Sequence, residues 1–341
     1  MLKEELFRCQ IQEWYPNFKS DSIQTLIHRL PHSFIDYLLQ DDAPFVLPTS
    51  ISGHDPLPRN TGGSLPSDPD YISFFPSSDS DDEDGTFSAP SFPDLELEVQ
   101  NSIAILGGAV FPKLNWSSPK DAASMGVGAS LKCTSFCEIA LLLKSSDSII
   151  HDLCYAVDSC SDATNLTPIM QFPFHLALRK WYGVFRPEME FRCFVFGRKL
   201  VGISQREVTT FYPVLVKKRN ELSVKIKEFF EEIILPRFGS DDYTFDVYVK
   251  DNDRVKLLDF NPWGAYTLSM LFDWEELELE RSVVETEFRV VESHCAVRPG
   301  LKTAVPFDYL ETGEGSGWDE VLKRAIVAEK LQQQQQQQQV S

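Results

Sequence analysis

Two spacings of apolar residues alternate along this chain. Runs with an apolar residue every third or fourth position read as helices, and runs alternating at every second position read as strands. Residues 4–40 carry helical spacing, interrupted at Trp14-Tyr15-Pro16. Ser20 or Asp21 suits the cap of a helix running through Arg29, and Pro31 opens a further segment, PHSFIDYLLQDD. Beyond residue 99 the period changes repeatedly. GGAVFPKLNW reads as a strand, SLKCTSFCEIALLLKSSD as an amphipathic helix and FHLALRKWY as a strand. EFRCFVFGRKLVGISQR then reads as a hairpin and LSVKIKEFFEEIILPRF as a helix. YTFDVYV and VKLLDFNP form a last strand pair joined by Asp-Asn-Asp. Hairpins separated by single helices predict an α+β fold of mostly antiparallel sheet.

Two stretches fit neither period. Residues 49–94 are rich in Ser, Pro, Gly and Asp, with SSDSDDEDG at 77–85, and bury too little to fold. Eight glutamines at 332–339 form a low-complexity tail. The predicted organisation is a helical segment at 1–48 packed on the core, a disordered acidic insertion at 49–98, a folded domain at 99–330 and a disordered tail at 331–341.

Composition narrows the class. The 341 residues are 43% hydrophobic, enough for a large core. No apolar run approaches the ~20 residues of a membrane span. The start, MLKEELFRCQIQEWYP, reads as neither a signal peptide nor an Arg-rich transit peptide. Seven cysteines without paired CxxC spacing read as reduced thiols of a cytoplasmic protein. A net charge of −19 argues against nucleic acid as a partner, since phosphate backbones demand clustered Lys and Arg. Residues 60–98 hold ten acids and no Lys or Arg, so about half of that charge lies in the insertion.

The last strand pair carries the most pointed chemistry. With the turn centred on Asn252-Asp253, Asp246 sits opposite Asp259 and Thr244 opposite Asn261. Side chains alternate faces along a strand, so Asp246, Asp259 and Asn261 share one face, with Tyr248 and Leu257 beside them. Opposed like charges repel, and a hard cation such as Mg²⁺ between them resolves the repulsion. Carboxylates facing solvent are the alternative.

Basic and aromatic residues elsewhere suit a nucleotide. Lys113 lies within a strand, with Trp116, Ser117 and Ser118 following, and is otherwise a snorkelling edge residue. Arg179, Lys180, Trp181 and Tyr182 close the FHLALRKWY strand. Glu190 and Arg192 share a strand face. A two-residue turn at Gly197-Arg198 places Gln205 opposite Glu190, and a three-residue turn places Arg206 there. Together these groups supply cations for phosphates, carboxylates and an amide for Mg²⁺, an acid for ribose and aromatics for a base. No GxGxxG, GxxxxGK[ST], HExxH or kinase motif set is present.

FPKLNWSSPKDA at 111–122, LRKWY at 178–182, EFRCFV at 190–195, GISQRE at 202–207, FDVY at 245–248 and LLDFNPWG at 257–264 resemble the cell division cycle protein 123 family. CQIQEWYPNF at 9–18 and LPHSFIDYLL at 30–39 fit it too, so the resemblance spans most of the chain. It implies an ATP-grasp-like fold of two lobes with a nucleotide cleft between them, binding ATP and Mg²⁺. It implies an assembly factor for eukaryotic translation initiation factor 2 that binds the gamma subunit and promotes its joining to alpha. By position, Lys113 then contacts phosphate, with Trp116 and Ser118 beside the nucleotide. Arg179, Lys180, Trp181 and Tyr182 form the hinge against adenine. Glu190, Arg192 and Arg206 complete the pocket, and Asp246, Asp259 and Asn261 hold the metal.

Three functions fit these parts: an ATP-dependent assembly chaperone, an ATP-grasp ligase forming an acyl phosphate, and a binding module that barely uses ATP. No second Arg/Lys cluster marks an acceptor pocket, and all three metal positions are filled, which favours the chaperone over an enzyme. The expected partner is the gamma subunit, with no nucleic acid or membrane, and the chain acting as a monomer.

Overall fold

The computed structural model describes residues 1–40, 46–49, 89–163, 172–183, 185–252, 254–264, 267–279 and 286–294. The glutamine tail and most of the predicted acidic insertion lie outside these residues.

Among the described residues the chain builds two sheets. The smaller one joins β1 (Thr25–Arg29), β3 (His175–Lys180) and β2 (Val110–Lys113), in that order and antiparallel throughout. Four helices pack on it: α3 (His32–Leu39), α4 (Pro93–Ile105), α5 (Phe136–Lys144) and α6 (Asp147–Cys154). Phe34, Val99, Phe136, Ile139, Leu143 and Leu153 meet Leu176 and Leu178 of the central strand there, all fully or nearly fully buried. The start of α5 is fixed by a capping box: Ser135 Oγ accepts the Glu138 amide, and the Glu138 carboxylate accepts the Thr134 and Ser135 amides.

The larger sheet runs β7 (Val255–Pro262), β6 (Tyr243–Val249), β4 (Glu190–Phe196), β5 (Lys199–Gln205) and β8 (Glu287–Arg289), with β8 parallel to β5 and the rest antiparallel. One face is apolar. Phe191, Cys193, Phe245, Val247, Leu257 and Phe260 pack there under α7 (Pro213–Phe229) and α2 (Ile11–Phe18). A short α1 (Lys3–Arg8) precedes α2, and α8 (Trp274–Leu279) covers β5 near Gly202. A π-helical turn, Phe230–Ile234, extends α7 and stacks Phe230 on Phe245 at 5.9 Å. The α+β class stands as the pattern predicts, and the two sheets with their helices form the two lobes that the family resemblance implies. Among the described residues no helix is long and apolar enough to cross a membrane.

Three boundaries differ from expectation. The segment expected to be a helix through Arg29 is strand β1, paired along its length with β3 from Thr25–Arg179 to Arg29–His175. The five residues TLIHR are too few to distinguish the two periods, and the open edge of β3 decides it. The interruption expected at Trp14-Tyr15-Pro16 falls instead at Cys9-Gln10, and α2 runs through Pro16 with Trp14 and Tyr15 buried. The insertion expected through residue 98 ends earlier. Helix α4 starts at Pro93, because Leu95, Val99 and Ile103 recur at helical spacing and reach the core.

Two bulges set the registers that matter. Near the β6–β7 turn Val249 faces Val255 and Val247 faces Leu257; Leu258 is then an extra residue, after which Asp246 faces Asp259 and Thr244 faces Asn261. The predicted acidic pairing is therefore present, but the bulge produces it. The same bulge turns Leu257 onto the apolar face opposite Val247, away from the acids beside which it was expected. In the β4–β5 hairpin the turn has two residues, Gly197 (φ 53°) and Arg198 (φ 62°), both left-handed as a type I′ turn requires. Alone it would set Gln205 opposite Glu190. A shift between Phe194 and Val195 moves the register by one, so Gln205 faces Phe191, and the Arg206 amide donates to the Glu190 carbonyl at 3.1 Å.

Phe260 is the keystone of the apolar face, stacked on Phe238 at 3.9 Å and touching Trp14, Phe18, Tyr243 and Phe245. Phe260→Ala is expected to cost about 3–5 kcal/mol in urea-induced unfolding, since neighbours on helix α2, strand β6 and the segment after the π-helical turn cannot all collapse into the void.

Candidate functional site

The polar face of the larger sheet looks across a cleft of about 560 Å³ toward the smaller sheet. Of the thirteen residues singled out from sequence, twelve line it: Trp116, Ser118, Arg179, Lys180, Trp181, Tyr182, Glu190, Arg192, Arg206, Asp246, Asp259 and Asn261. Lys113 lies just behind the wall, 1% exposed, with its ammonium on Asp259.

Asp246 occupies the centre of the sheet, with Arg192 opposite on β4 and Asp259 opposite on β7. Arg192 grips it bidentately, Nε–Oδ1 2.8 Å and Nη2–Oδ2 2.9 Å, and donates Nη1 to the Leu268 carbonyl. Arg206 Nε adds a looser contact to Oδ2 at 3.3 Å. Burial alone would push this carboxyl up. The Arg192 and Arg206 guanidiniums outweigh it and hold the group well below the usual carboxylate range, so it is ionised at every physiological pH.

Asp259 finds its counter-charge in the other lobe. Lys113 Nζ on β2 donates to its Oδ2 at 2.7 Å and also to the Trp116 carbonyl. Arg179 on β3 reaches across as well, giving Nη2 to the Leu258 carbonyl at 2.6 Å while its guanidinium lies over Phe111, 5.3 Å from the ring centre. The bulge that exposes this carbonyl thus also joins the lobes. Asp259 Oδ1 accepts from the Phe260 amide, and Asn261 Nδ2 and Thr244 Oγ1 are buried with no hydrogen-bond partner among the described residues.

The remaining groups ring the cleft. Lys180 and Trp181 commit their amides to the carbonyls of Gln24 and Ala109, and Tyr182 lies between the ammoniums of Lys180 and Lys250. Burial raises the Glu190 carboxyl, with Lys120 and Arg206 opposing the shift. Gln205, the alternative to Arg206, faces away: Oε1 accepts the Val291 amide and Nε2 donates to the Thr210 carbonyl.

Sequence reasoning missed two cleft residues. Lys120 is open to the solvent in the cleft yet walled by protein. The Arg206 charge, with desolvation, lowers its ammonium to about 8. It stands in the same FPKLNWSSPKDA stretch as Lys113, and a second lysine seven residues on was the available signal. Asp152, on α6 and 4% exposed, accepts the Ser117 amide (2.7 Å), the Ser117 hydroxyl (2.8 Å) and the Trp116 amide (3.3 Å). Nothing in its helical stretch separates it from a solvent-facing acid.

Residues 14–313 match the sequence model of the D123 family. The chain belongs to the D123 family. A Xenopus laevis protein named translation initiation factor eIF2 assembly protein is 39% identical over 329 residues, covering 92% of this chain and 93% of that one. A protein of the same name from Dictyostelium discoideum is 36% identical, covering 91% and 92%. The solved structure of Cdc123 from Schizosaccharomyces pombe is similar at a TM-score of 0.67 and 30% identity, over 86% of this chain and 99% of that one. The resemblance read from motifs is thereby shown at the level of the D123 family.

Two measurements probe this site. Lys113→Met leaves Asp259 without its cation in a half-buried position and is expected to lower stability by about 3 kcal/mol, with Lys113→Met/Asp259→Leu recovering most of it in chemical denaturation. Burial pushes the Asp152 carboxyl up to about 6 against the Ser117 hydrogen bonds. The folded state therefore holds that proton more tightly than the unfolded chain. Its contribution weakens stability as pH rises from about 4 to about 6 and stays unfavourable above. Asp152→Asn is expected to raise the melting temperature at pH 7.5 by several degrees, with the gain shrinking toward pH 4.

Proposed function

We propose that this protein binds ATP with Mg²⁺ in the cleft and, in that form, promotes assembly of the eukaryotic translation initiation factor 2 heterotrimer by binding its gamma subunit. The observation that carries the nucleotide half is the convergence of Lys120, Arg179, Arg192 and Arg206, contributed by both lobes, on a wall bearing Asp246, Asp259 and Asn261. A volume of about 560 Å³ lies within the range of small-molecule sites. The assembly half is supported by relatives named as eIF2 assembly proteins, which this chain matches over nine-tenths of its length.

The residues present fit a hard cation shared with phosphates. Asp259 and Asn261 face the cleft from one strand and Asp246 stands opposite, so carboxylate and amide oxygens form the donor set a hard cation takes, while the Asn261 amide nitrogen, without a partner among the described residues, can donate to a phosphate oxygen. Mg²⁺ would supply positive charge between the carboxylates and the phosphate oxygens. Asp246 is shared between two arginines, and Arg206 is the less firmly held of them, so Arg206 is the side chain free to turn toward an anionic ligand. Arg192 keeps its bidentate grip and its backbone anchor and fixes the Asp246 rotamer. Lys113 orients Asp259. Glu190, its carboxyl raised by burial, is placed to accept from ribose hydroxyls, and Trp181 and Tyr182 flank the position of a base. In this reading the ATP-grasp arrangement is the two sheets and the strand β3 that leads out between them.

Asp259→Ala is expected to abolish Mg²⁺-dependent ATP binding in calorimetric titration while circular dichroism stays native; unchanged affinity would remove Asp259 from the cation site. Recombinant protein should retain the gamma subunit in co-purification, and more so with ATP. Failure to retain it under any nucleotide condition, together with ATP turnover stimulated by a small carboxylate, would replace the chaperone with a ligase.

A further inference from the structure

Helix α6 holds the cleft-lining segment that follows β2 at two points. At one, Asp152 gathers the Trp116 and Ser117 amides and the Ser117 hydroxyl. At the other, Asp121 reaches the start of the helix, its Oδ1 accepting from Ser146 Oγ at 2.6 Å and its Oδ2 from the Ser148 amide at 3.0 Å. Between these two carboxylates lie Ser117, Ser118 and Lys120, all on the cleft wall. The segment is also tied to the lobe-joining ion pair. Leu114 N donates to the Ser117 carbonyl at 2.8 Å, closing a tight turn, and the Trp116 carbonyl in that turn accepts from Lys113 Nζ, which carries on to Asp259.

A buried carboxylate is costly, and Asp152 is 4% exposed with no salt bridge among the described residues. A residue needed only for packing at this place would be apolar. What the carboxylate does that an apolar residue cannot is accept three donors at once and so fix the path of a loop with no regular ladder of its own. The groups facing it are the Ser117 and Trp116 donors and, at longer range, the Lys113 ammonium; its own helix brings His151 beside it.

We propose that Asp152 is a positioning residue for ligand binding: it fixes the Trp116–Lys120 segment so that Ser118 and Lys120 are held toward the phosphates of a bound nucleotide, and it locks the Trp116 carbonyl that orients Lys113. The proposal rests on the nucleotide reading of the cleft. Asp152 touches no ligand in it and acts through the backbone of Trp116 and Ser117. A polar group that orients ligand-contacting residues in this way typically changes affinity 10- to 100-fold when removed.

The test compares wild type, Asp152→Ala and Asp152→Asn by calorimetric titration with ATP and Mg²⁺, and by amide hydrogen exchange. Asp152→Ala is expected to weaken binding at pH 7.5 by about tenfold or more and to speed exchange at Trp116 and Ser117, while exchange in the larger sheet stays at the wild-type rate. Asp152→Asn keeps an acceptor oxygen and is expected to restore affinity to within about threefold of wild type. Protonation removes acceptor capacity from the wild-type carboxyl. The protonated group keeps its carbonyl acceptor, as asparagine does, so wild-type affinity should fall toward that of Asp152→Asn, and not below it, between pH 7 and pH 5. Wild-type affinity in Asp152→Ala would overturn the proposal, and so would an equal loss in both variants, which would make the charge itself the agent. Parallel pH profiles for wild type and Asp152→Asn would overturn it as well. Should the alanine variant fail to fold, the asparagine variant and its pH profile decide alone. If wild type binds no ATP, the nucleotide reading falls, whereas unchanged exchange at Trp116 and Ser117 in the variants removes the positioning role independently of it.

Discussion

Two aspartates face each other across β6 and the edge strand β7 of the larger sheet, and the rest of the molecule is arranged around that repulsion. Unscreened, the pair would cost several kcal/mol in a half-buried setting. Asp246 is neutralised from within its own sheet by Arg192 and Arg206, and Asp259 from the opposite sheet by Lys113. The first pair of contacts rigidifies the larger lobe. The second ties that lobe to the smaller one, so a charge problem on β6 and β7 becomes a cross-lobe clamp.

The Leu258 bulge shows how backbone irregularity serves this purpose. A regular ladder continuing from the turn would leave Asp246 and Asp259 out of register. One extra residue sets them face to face, keeps Leu257 and Phe260 on the apolar side and presents the Leu258 carbonyl to Arg179. Two cross-lobe bonds, through Lys113 and Arg179, therefore converge within two residues of β7. Both come from the floor of the cleft, which leaves the rim, with Arg206, Lys120 and Tyr182, less constrained. Such a clamp at the base and open charge at the rim suits a cleft that takes in an anionic ligand.

The elements and their faces were largely readable in the order of residues. Eight of the main strands and helices, β2 to β7 with α5 and α7, follow from periodicity, and the S-x-x-E box at 135–138 marks the start of α5. Strand β1 was not readable, since its identity depends on an edge supplied 150 residues later. Of the site, the residues were legible by type and spacing, while their partners were not. That Arg192 grips Asp246, and that Asp259 belongs to Lys113, are consequences of β4 lying next to β6 and of the smaller sheet closing over the larger. Asp152 gave no signal, because an acid on a helix is ordinary until the fold buries it.

By itself the sequence determined that this chain forms an α+β core, belongs with the D123 family and holds acids, cations and aromatics in an order fit for one cleft. These are properties of local period and residue chemistry. The tertiary structure decided the registers, the choice of Arg206 over Gln205, and which cation answers which carboxylate. Each of these turns on a single bulge or on the approach of two sheets, and a one-residue shift or a contact between distant strands leaves no mark on local pattern.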